Sequence, residues 1–106
     1  MLNKVTVIMD RPIGYKDDYG NVYTVNYGYI EGIMSPDGEE QDAYILDRKI
    51  NYPIDKYEGN VIAIVEREDD VETKWIVSNE EWSAEEIWQE VNFIEKYFKS
   101  SIRLIG

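Results

Sequence analysis

The 106-residue chain contains neither cysteine nor histidine. Without cysteine it can form no disulfide and has no thiol nucleophile. Without histidine it lacks the commonest general base and the preferred zinc ligand. Any bound metal must therefore be held by oxygen atoms, which favours magnesium, calcium or manganese.

Positive charge is also scarce, because 11 Lys and Arg stand against 22 Asp and Glu and give a formal net charge of −11. So few cations disfavour nucleic acid and anionic membranes as partners. The longest clear apolar run, residues 61–65, is far too short to span a bilayer. Residues 1–20 have no apolar stretch of signal-peptide length, so we expect a soluble, cytoplasmic protein.

The chain can nevertheless bury a core, since 43% of its residues are hydrophobic and 31% are charged. Its length predicts one domain, residues 1–106. Burial in so small a domain is limited, so we expect modest stability or a homo-oligomer.

Alternating or apolar segments predict strands at 5–9, 22–29, 43–46, 60–67 and 73–77, with a hairpin loop at Asp69 and Asp70 and a last strand at 102–105. One helix is predicted over 83–99, because Ser83 and Glu86 form a capping box and apolar residues follow at helical spacing. Several short strands and one helix predict an α+β fold, a small antiparallel OB-like β-barrel with one main C-terminal helix packed on it.

The densest group of acidic residues is Asp37, Glu39 and Asp42, in the turn-forming segment 35–42. Crowded carboxylates repel each other unless a cation lies among them. By composition alone the segment is either a cation site or, more commonly, a solvated acidic turn.

Two segments resemble the signature region of soluble inorganic pyrophosphatases. Residues 23–30 read YTVNYGYI and residues 35–42 read SPDGEEQD. In that family a Tyr-Pro-x-Asn-Tyr-Gly-Tyr-Ile segment leads into Asp-Gly-Asp-Pro-x-Asp. Weaker similarity continues through 60–77 and along the helix to Tyr97. The resemblance implies a phosphoanhydride hydrolase that uses Mg²⁺, with Mn²⁺ as an alternative, and pyrophosphate or a related phosphoanhydride as its substrate.

The resemblance also implies roles for individual residues. The metal ligands would be Asp37, Glu39, Asp42 and Glu72. The catalytic residues would be Tyr27, Asp42 and Glu72. Phosphate oxygens would be bound by Lys74, Tyr97, Arg11 and Tyr23, with Lys16 and Lys99 as other sources of positive charge. Core packing is the alternative for Tyr27, and an ordinary charged hairpin tip is the alternative for Glu72 and Lys74.

Three departures from the family pattern imply a slow or altered enzyme. Glu39 replaces an Asp, Phe98 stands where the family has a phosphate-binding Lys, and only residues 11–22 fill a region that is longer in the family and carries several of its charged site residues. The alternative is a non-catalytic metal- or phosphate-binding relative. A plain structural domain would leave the matching segments unexplained.

Overall fold

The computed structural model describes residues 4–68 and 72–105. Its elements in chain order are β1 (Lys4–Arg11), β2 (Tyr27–Met34), β3 (Glu40–Ile45), β4 (Lys56–Arg67), β5 (Thr73–Ser78), α1 (Ala84–Glu95) and β6 (Ser100–Leu104). Every predicted strand overlaps one of these elements. The predicted hairpin loop at Asp69 and Asp70 lies outside the described residues.

The strands form a closed barrel with one helix, so the predicted α+β fold is confirmed. The order is β1-β2-β3-β5-β4, and β1 also pairs with β4, which closes the ring; β6 adds to β4. All neighbouring pairs are antiparallel except β3 and β5, which run parallel. Five strands in a ring cannot all alternate in direction, so a closed five-stranded barrel must contain a parallel pair.

The second strand begins later than predicted, at Tyr27 rather than at residue 22. The side chain of Asn26 explains the difference, because it bonds to the backbone of other segments. Its Oδ1 accepts from the amide of Ile13 at 2.8 Å, and its Nδ2 donates to the carbonyl of Tyr52 at 3.1 Å. These bonds fix the preceding residues as a loop. The glycine that follows, Gly28, is required by packing, since a Cβ there would lie 1.9 Å from the carbonyl oxygen of Ile8.

Helix α1 begins as predicted and ends earlier than predicted. Ser83 Oγ accepts from the amide of Glu86 at 3.1 Å, and Glu86 Oε1 accepts from the amide of Ser83 at 2.9 Å. The prediction that the helix continues to Lys99 is wrong, because α1 ends at Glu95. The amides of Tyr97 and Phe98 bond to carbonyls three residues back, which tightens the last turn, and β6 then starts at residue 100.

Strand β4 and helix α1 bury their apolar residues at regular intervals. Val61, Ala63 and Val65 alternate along β4 and are at most 5% exposed, while Ile87 and Val91 are fully buried on α1. Both periodicities continue to a charged residue. The next inward position of β4 is Arg67, and the next buried position of α1 is Glu95.

Arg67 and Glu95 form a buried ion pair that joins the helix to the barrel. Arg67 Nη2 and Nε donate to the two oxygens of Glu95 at 2.8 and 3.1 Å. The hydroxyls of Tyr44 on β3 and Ser100 on β6 donate to the same carboxylate, each at 2.7 Å. Burial by itself would raise the pKa of Glu95, but these hydrogen bonds hold that pKa below its ordinary value.

We predict that Glu95→Ala destabilises the fold by about 3–5 kcal/mol, because it leaves the guanidinium of Arg67 buried without its partner. The free energy of unfolding in urea measures this. Glu90→Ala, at an exposed position of the same helix, is the control and should change stability by less than about 0.5 kcal/mol. Equal effects of the two substitutions would contradict the prediction.

The same carboxylate gives the stability a defined dependence on pH. Since its pKa is lower in the folded protein, ionised Glu95 stabilises the fold above its ordinary pKa of 4.5. That contribution is lost as the pH falls through the lowered value. The stability difference between the wild type and Glu95→Gln should therefore shrink in acid.

Candidate active site

One cavity of about 870 Å³ opens between the barrel and the end of the helix. Strands β1 to β5, the segment 17–23 and residues 94–98 all contribute to its lining. Eight of the nine residues proposed from the sequence line it: Arg11, Tyr23, Tyr27, Glu39, Asp42, Glu72, Lys74 and Tyr97. The fold therefore brings together residues that are up to 86 positions apart in the chain.

The ninth residue, Asp37, does not line this cavity. It is exposed in the turn between β2 and β3, where its Oδ1 accepts from the amide of Glu39 at 2.9 Å. This short side chain caps its own turn, as Asp commonly does. The metal-binding role predicted for Asp37 stays a prediction.

A bulge in β1 turns two consecutive residues towards the cavity. The register between β1 and β2 shifts between Met9 and Arg11, so Asp10 has no direct partner on β2. In a regular strand neighbouring side chains point to opposite faces, but here Asp10 and Arg11 both line the cavity. Arg11 Nη1 donates to the hydroxyl of Tyr23 at 2.6 Å, which fixes the guanidinium at the wall.

Lys74 lies between two of the carboxylates that the resemblance assigns to metal. Its Nζ donates to Asp42 Oδ2 at 2.8 Å and also to Glu72. The Lys74 side chain is only 7% exposed, so little water competes with these bonds. In the ligand-free protein, Lys74 supplies the positive charge that the two carboxylates need.

Two further groups of the cavity have raised pKa values, for which burial is the main cause and the charge of Asp42 the second. Although Asp10 is an exposed residue, partial burial of its carboxylate and the charge of Asp42 raise its pKa above the ordinary value of 3.8. Burial and the same charge raise the pKa of the Tyr27 hydroxyl far above its usual range. Tyr27 is therefore protonated at neutral pH and can donate a hydrogen bond to an anion.

The donors around the cavity fit a hard divalent cation. Asp10, Asp42, Glu39 and Glu72 offer only oxygen, which Mg²⁺ and Mn²⁺ prefer. Mg²⁺ typically takes one or two protein carboxylates and fills its other positions with water and phosphate oxygens. No group of three acidic residues is close enough to hold an ion by itself within residues 4–68 and 72–105. The described residues thus form no ready-made metal cage, and an ion bound here would need other oxygen ligands to complete its shell.

Sequence analysis missed Arg67, a charged residue of the cavity wall, and the buried Glu95 to which it bonds. Arg67 lines the cavity, and its guanidinium carbon lies 3.7 Å from the centre of the Phe98 ring. Arg67 was read only as the end of a strand, although alternation along β4 places it on the buried side. A charged residue at an inward position was the signal. The same signal marks Glu95 at the buried spacing of α1.

The described part of the chain has no helix long and apolar enough to cross a membrane. Neither a protein-family model nor a curated protein sequence matches this chain.

Solved structures of inorganic pyrophosphatases share the fold. The enzyme from Ehrlichia chaffeensis superposes with a TM-score of 0.72 at 12% identity, over 96% of this chain and 86% of the other. For the Helicobacter pylori enzyme the TM-score is 0.65 at 14% identity, over 98% and 83% of the two chains. For the Thermus thermophilus enzyme it is 0.58 at 20% identity, over 97% and 80%. At such low identity these matches show a common fold and nothing more. The activity of this chain has to be argued from the residues of its own cavity.

We predict that Asp10→Asn raises the melting temperature at pH 7, because the ionised carboxylate is disfavoured in the folded protein. The gain should fade as the pH falls through the raised pKa towards 3.8, where wild-type Asp10 also becomes neutral. Thermal unfolding between pH 3.5 and pH 7 measures it.

Asp18→Asn is the matched control, since it removes the same charge from another exposed position, in a loop residue that does not line the cavity. An equal gain in melting temperature in both variants would contradict the prediction. It would mean that the net negative charge of the protein, rather than the surroundings of Asp10 in the cavity, disfavours the ionised carboxylate.

Proposed function

We propose that this protein hydrolyses pyrophosphate, or a related phosphoanhydride, to phosphate in a slow reaction that depends on Mg²⁺ or Mn²⁺. The observation that carries the proposal is a single cavity in which acidic oxygens, Asp10 and Asp42 among them, face the cations Arg11 and Lys74. The resemblance of segments 23–30 and 35–42 and the shared fold support it. With a net charge of −11, we expect an enzyme that binds neither nucleic acid nor anionic membranes. Its cytoplasmic location stays a prediction.

The cations and hydroxyls of the wall would hold the substrate. Arg11 carries a planar guanidinium that can bind two phosphate oxygens at once, and the hydroxyl of Tyr23 orients it. Tyr27 would donate a hydrogen bond to a phosphate oxygen and keep its proton, and Tyr97 would contact the substrate from the rim, where it is 61% exposed. Phosphoryl transfer depends mainly on such positioning and charge stabilisation.

The carboxylates would serve the metal and the attacking water. When bound, Mg²⁺ supplies charge neutralisation and a lowered pKa for a coordinated water. One or two of the carboxylates Asp42, Glu39 and Glu72 would hold it, with water and phosphate oxygens as its other ligands. Asp10 lies near enough to Asp42 for that charge to raise its pKa. Glu72 is the residue that we assign to accept the proton of the water.

The bonds of Lys74 couple the binding of phosphate to the binding of metal. Lys74 cannot hold a phosphate oxygen with its full charge while it is bonded to Asp42 and Glu72. A divalent ion would take over these carboxylates and free Lys74 for phosphate, so metal and phosphate should each strengthen the binding of the other.

The same bonds favour a second candidate function. A domain whose carboxylates are already neutralised by its own lysine can bind metal or phosphate without catalysing hydrolysis. The two candidates differ in one measurable respect, the release of phosphate.

We predict that Mg²⁺ stabilises the native protein, by about 2.7 kcal/mol at a hundredfold excess over its dissociation constant. Asp42→Asn should remove most of the thermal shift, because it removes a proposed ligand. Glu40→Gln, an exposed neighbour in the same strand that does not line the cavity, should keep it. A shift that survives Asp42→Asn would exclude this metal site.

We predict phosphate release from pyrophosphate with Mg²⁺, measured by a colorimetric phosphate assay. Asp42→Asn should abolish it, and Lys74→Ala should lower the rate by about 10²–10³, the usual cost of one charge-stabilising donor. Arg48→Ala, on another face of the protein, should leave it unchanged. Metal binding without release from pyrophosphate or any nucleoside triphosphate would decide for the binding domain.

A further inference from the structure

Arg67 is a third cation at the cavity, beside Arg11 and Lys74, and its side chain is held from two directions. Two of its three nitrogens, Nε and Nη2, donate to Glu95. The face of the guanidinium rests on the ring of Phe98, with 3.7 Å between the guanidinium carbon and the ring centre. The group is thus fixed in one orientation before any ligand arrives.

The remaining nitrogen, Nη1, is directed towards the acidic side of the cavity. It lies 3.7 Å from Glu72 Oε2, which is longer than a hydrogen bond. The other oxygen of Glu72 accepts from Lys74. Arg67 and Lys74 therefore flank one carboxylate from two sides, and an anion that replaces this carboxylate would meet both cations.

Stability alone gives a weak reason for an arginine at this position. A buried ion pair is often no more stabilising than well-packed apolar residues of the same size. A fixed guanidinium with one nitrogen at a cavity is, however, well suited to an oxyanion, because its planar donors match phosphate oxygens. Arg48 offers a contrast within the chain: it also stacks on an aromatic ring, that of Trp82 at 3.6 Å, but it lies on the surface away from the cavity.

We propose that Arg67 binds a phosphate oxygen of the phosphoanhydride through Nη1, and that Glu95 and Phe98 position it for this contact. The proposal rests on the proposed function for the class of ligand. In the ligand-free protein Glu72 takes the place of the phosphate. On binding, the phosphate displaces Glu72 from Arg67 and Lys74, while Glu95 keeps its two bonds to Arg67.

The test measures binding rather than turnover, with methylenediphosphonate as a pyrophosphate analogue that cannot be hydrolysed. Calorimetry in Mg²⁺ compares the wild type with the double variant Arg67→Met and Glu95→Gln, which removes both buried charges together and so avoids an unpaired one. We expect affinity to fall at least about tenfold, the effect of losing a hydrogen bond to a charged group. Arg48→Met is the matched control and should bind like the wild type.

Circular dichroism and the melting temperature establish that the double variant is folded. A folded double variant with wild-type affinity would overturn the proposal. If the double variant does not fold, Arg67→Lys takes its place, because a lysine has a single nitrogen, which cannot lie beside Glu95 and at the cavity position of Nη1 at the same time. Wild-type affinity in Arg67→Lys would likewise overturn the proposal.

The outcome separates this proposal from the proposed function. One outcome is a wild-type protein that binds methylenediphosphonate through Arg67 but releases no phosphate from pyrophosphate. That result would refute hydrolysis and leave the binding role of Arg67 intact. A wild-type protein that binds neither the analogue nor inorganic phosphate would refute the role of Arg67 directly.

Discussion

The carboxylate of Glu95 is fully buried, and the rest of the molecule is arranged to satisfy it. Its two oxygens accept four hydrogen bonds, two from Arg67 and one each from Tyr44 and Ser100. These donors come from β4, β3 and β6, so one group ties the helix to three strands. Because an unsatisfied buried charge is very costly, this requirement also fixes the position of Arg67 and of the cavity wall.

Along that wall the charges alternate in sign from Asp42 through Lys74, Glu72 and Arg67 to Glu95. Each group is neutralised by its neighbours, which allows a strongly acidic chain to keep cations beside carboxylates in one small cavity. Under the proposed function, a metal phosphate carries both signs and would replace two ion pairs of this row at once.

Local patterns were enough to predict the barrel and the start of the helix, whereas the resemblance of segments 23–30 and 35–42 supplied most of the residues proposed for the candidate site. The capping box at Ser83 is local, and alternation marks the strands, so both can be read from sequence. The end of the helix depends on β6 pairing with β4, and the parallel pair depends on ring closure, neither of which a local pattern reports. Arg67 and Glu95 were missed because a charge at a buried position becomes meaningful only when its partner, 28 residues away, is known.

Because of the bulge at Asp10, the chemistry of this cavity depends on the number of residues in β1 as well as on their identity. Deleting one residue from β1 would restore a regular strand and send either the acid or the arginine to the opposite face. Transplanting the motif onto another barrel would therefore have to carry the irregular backbone with it. Among natural variants, substitutions in this strand should be tolerated more readily than changes in its length.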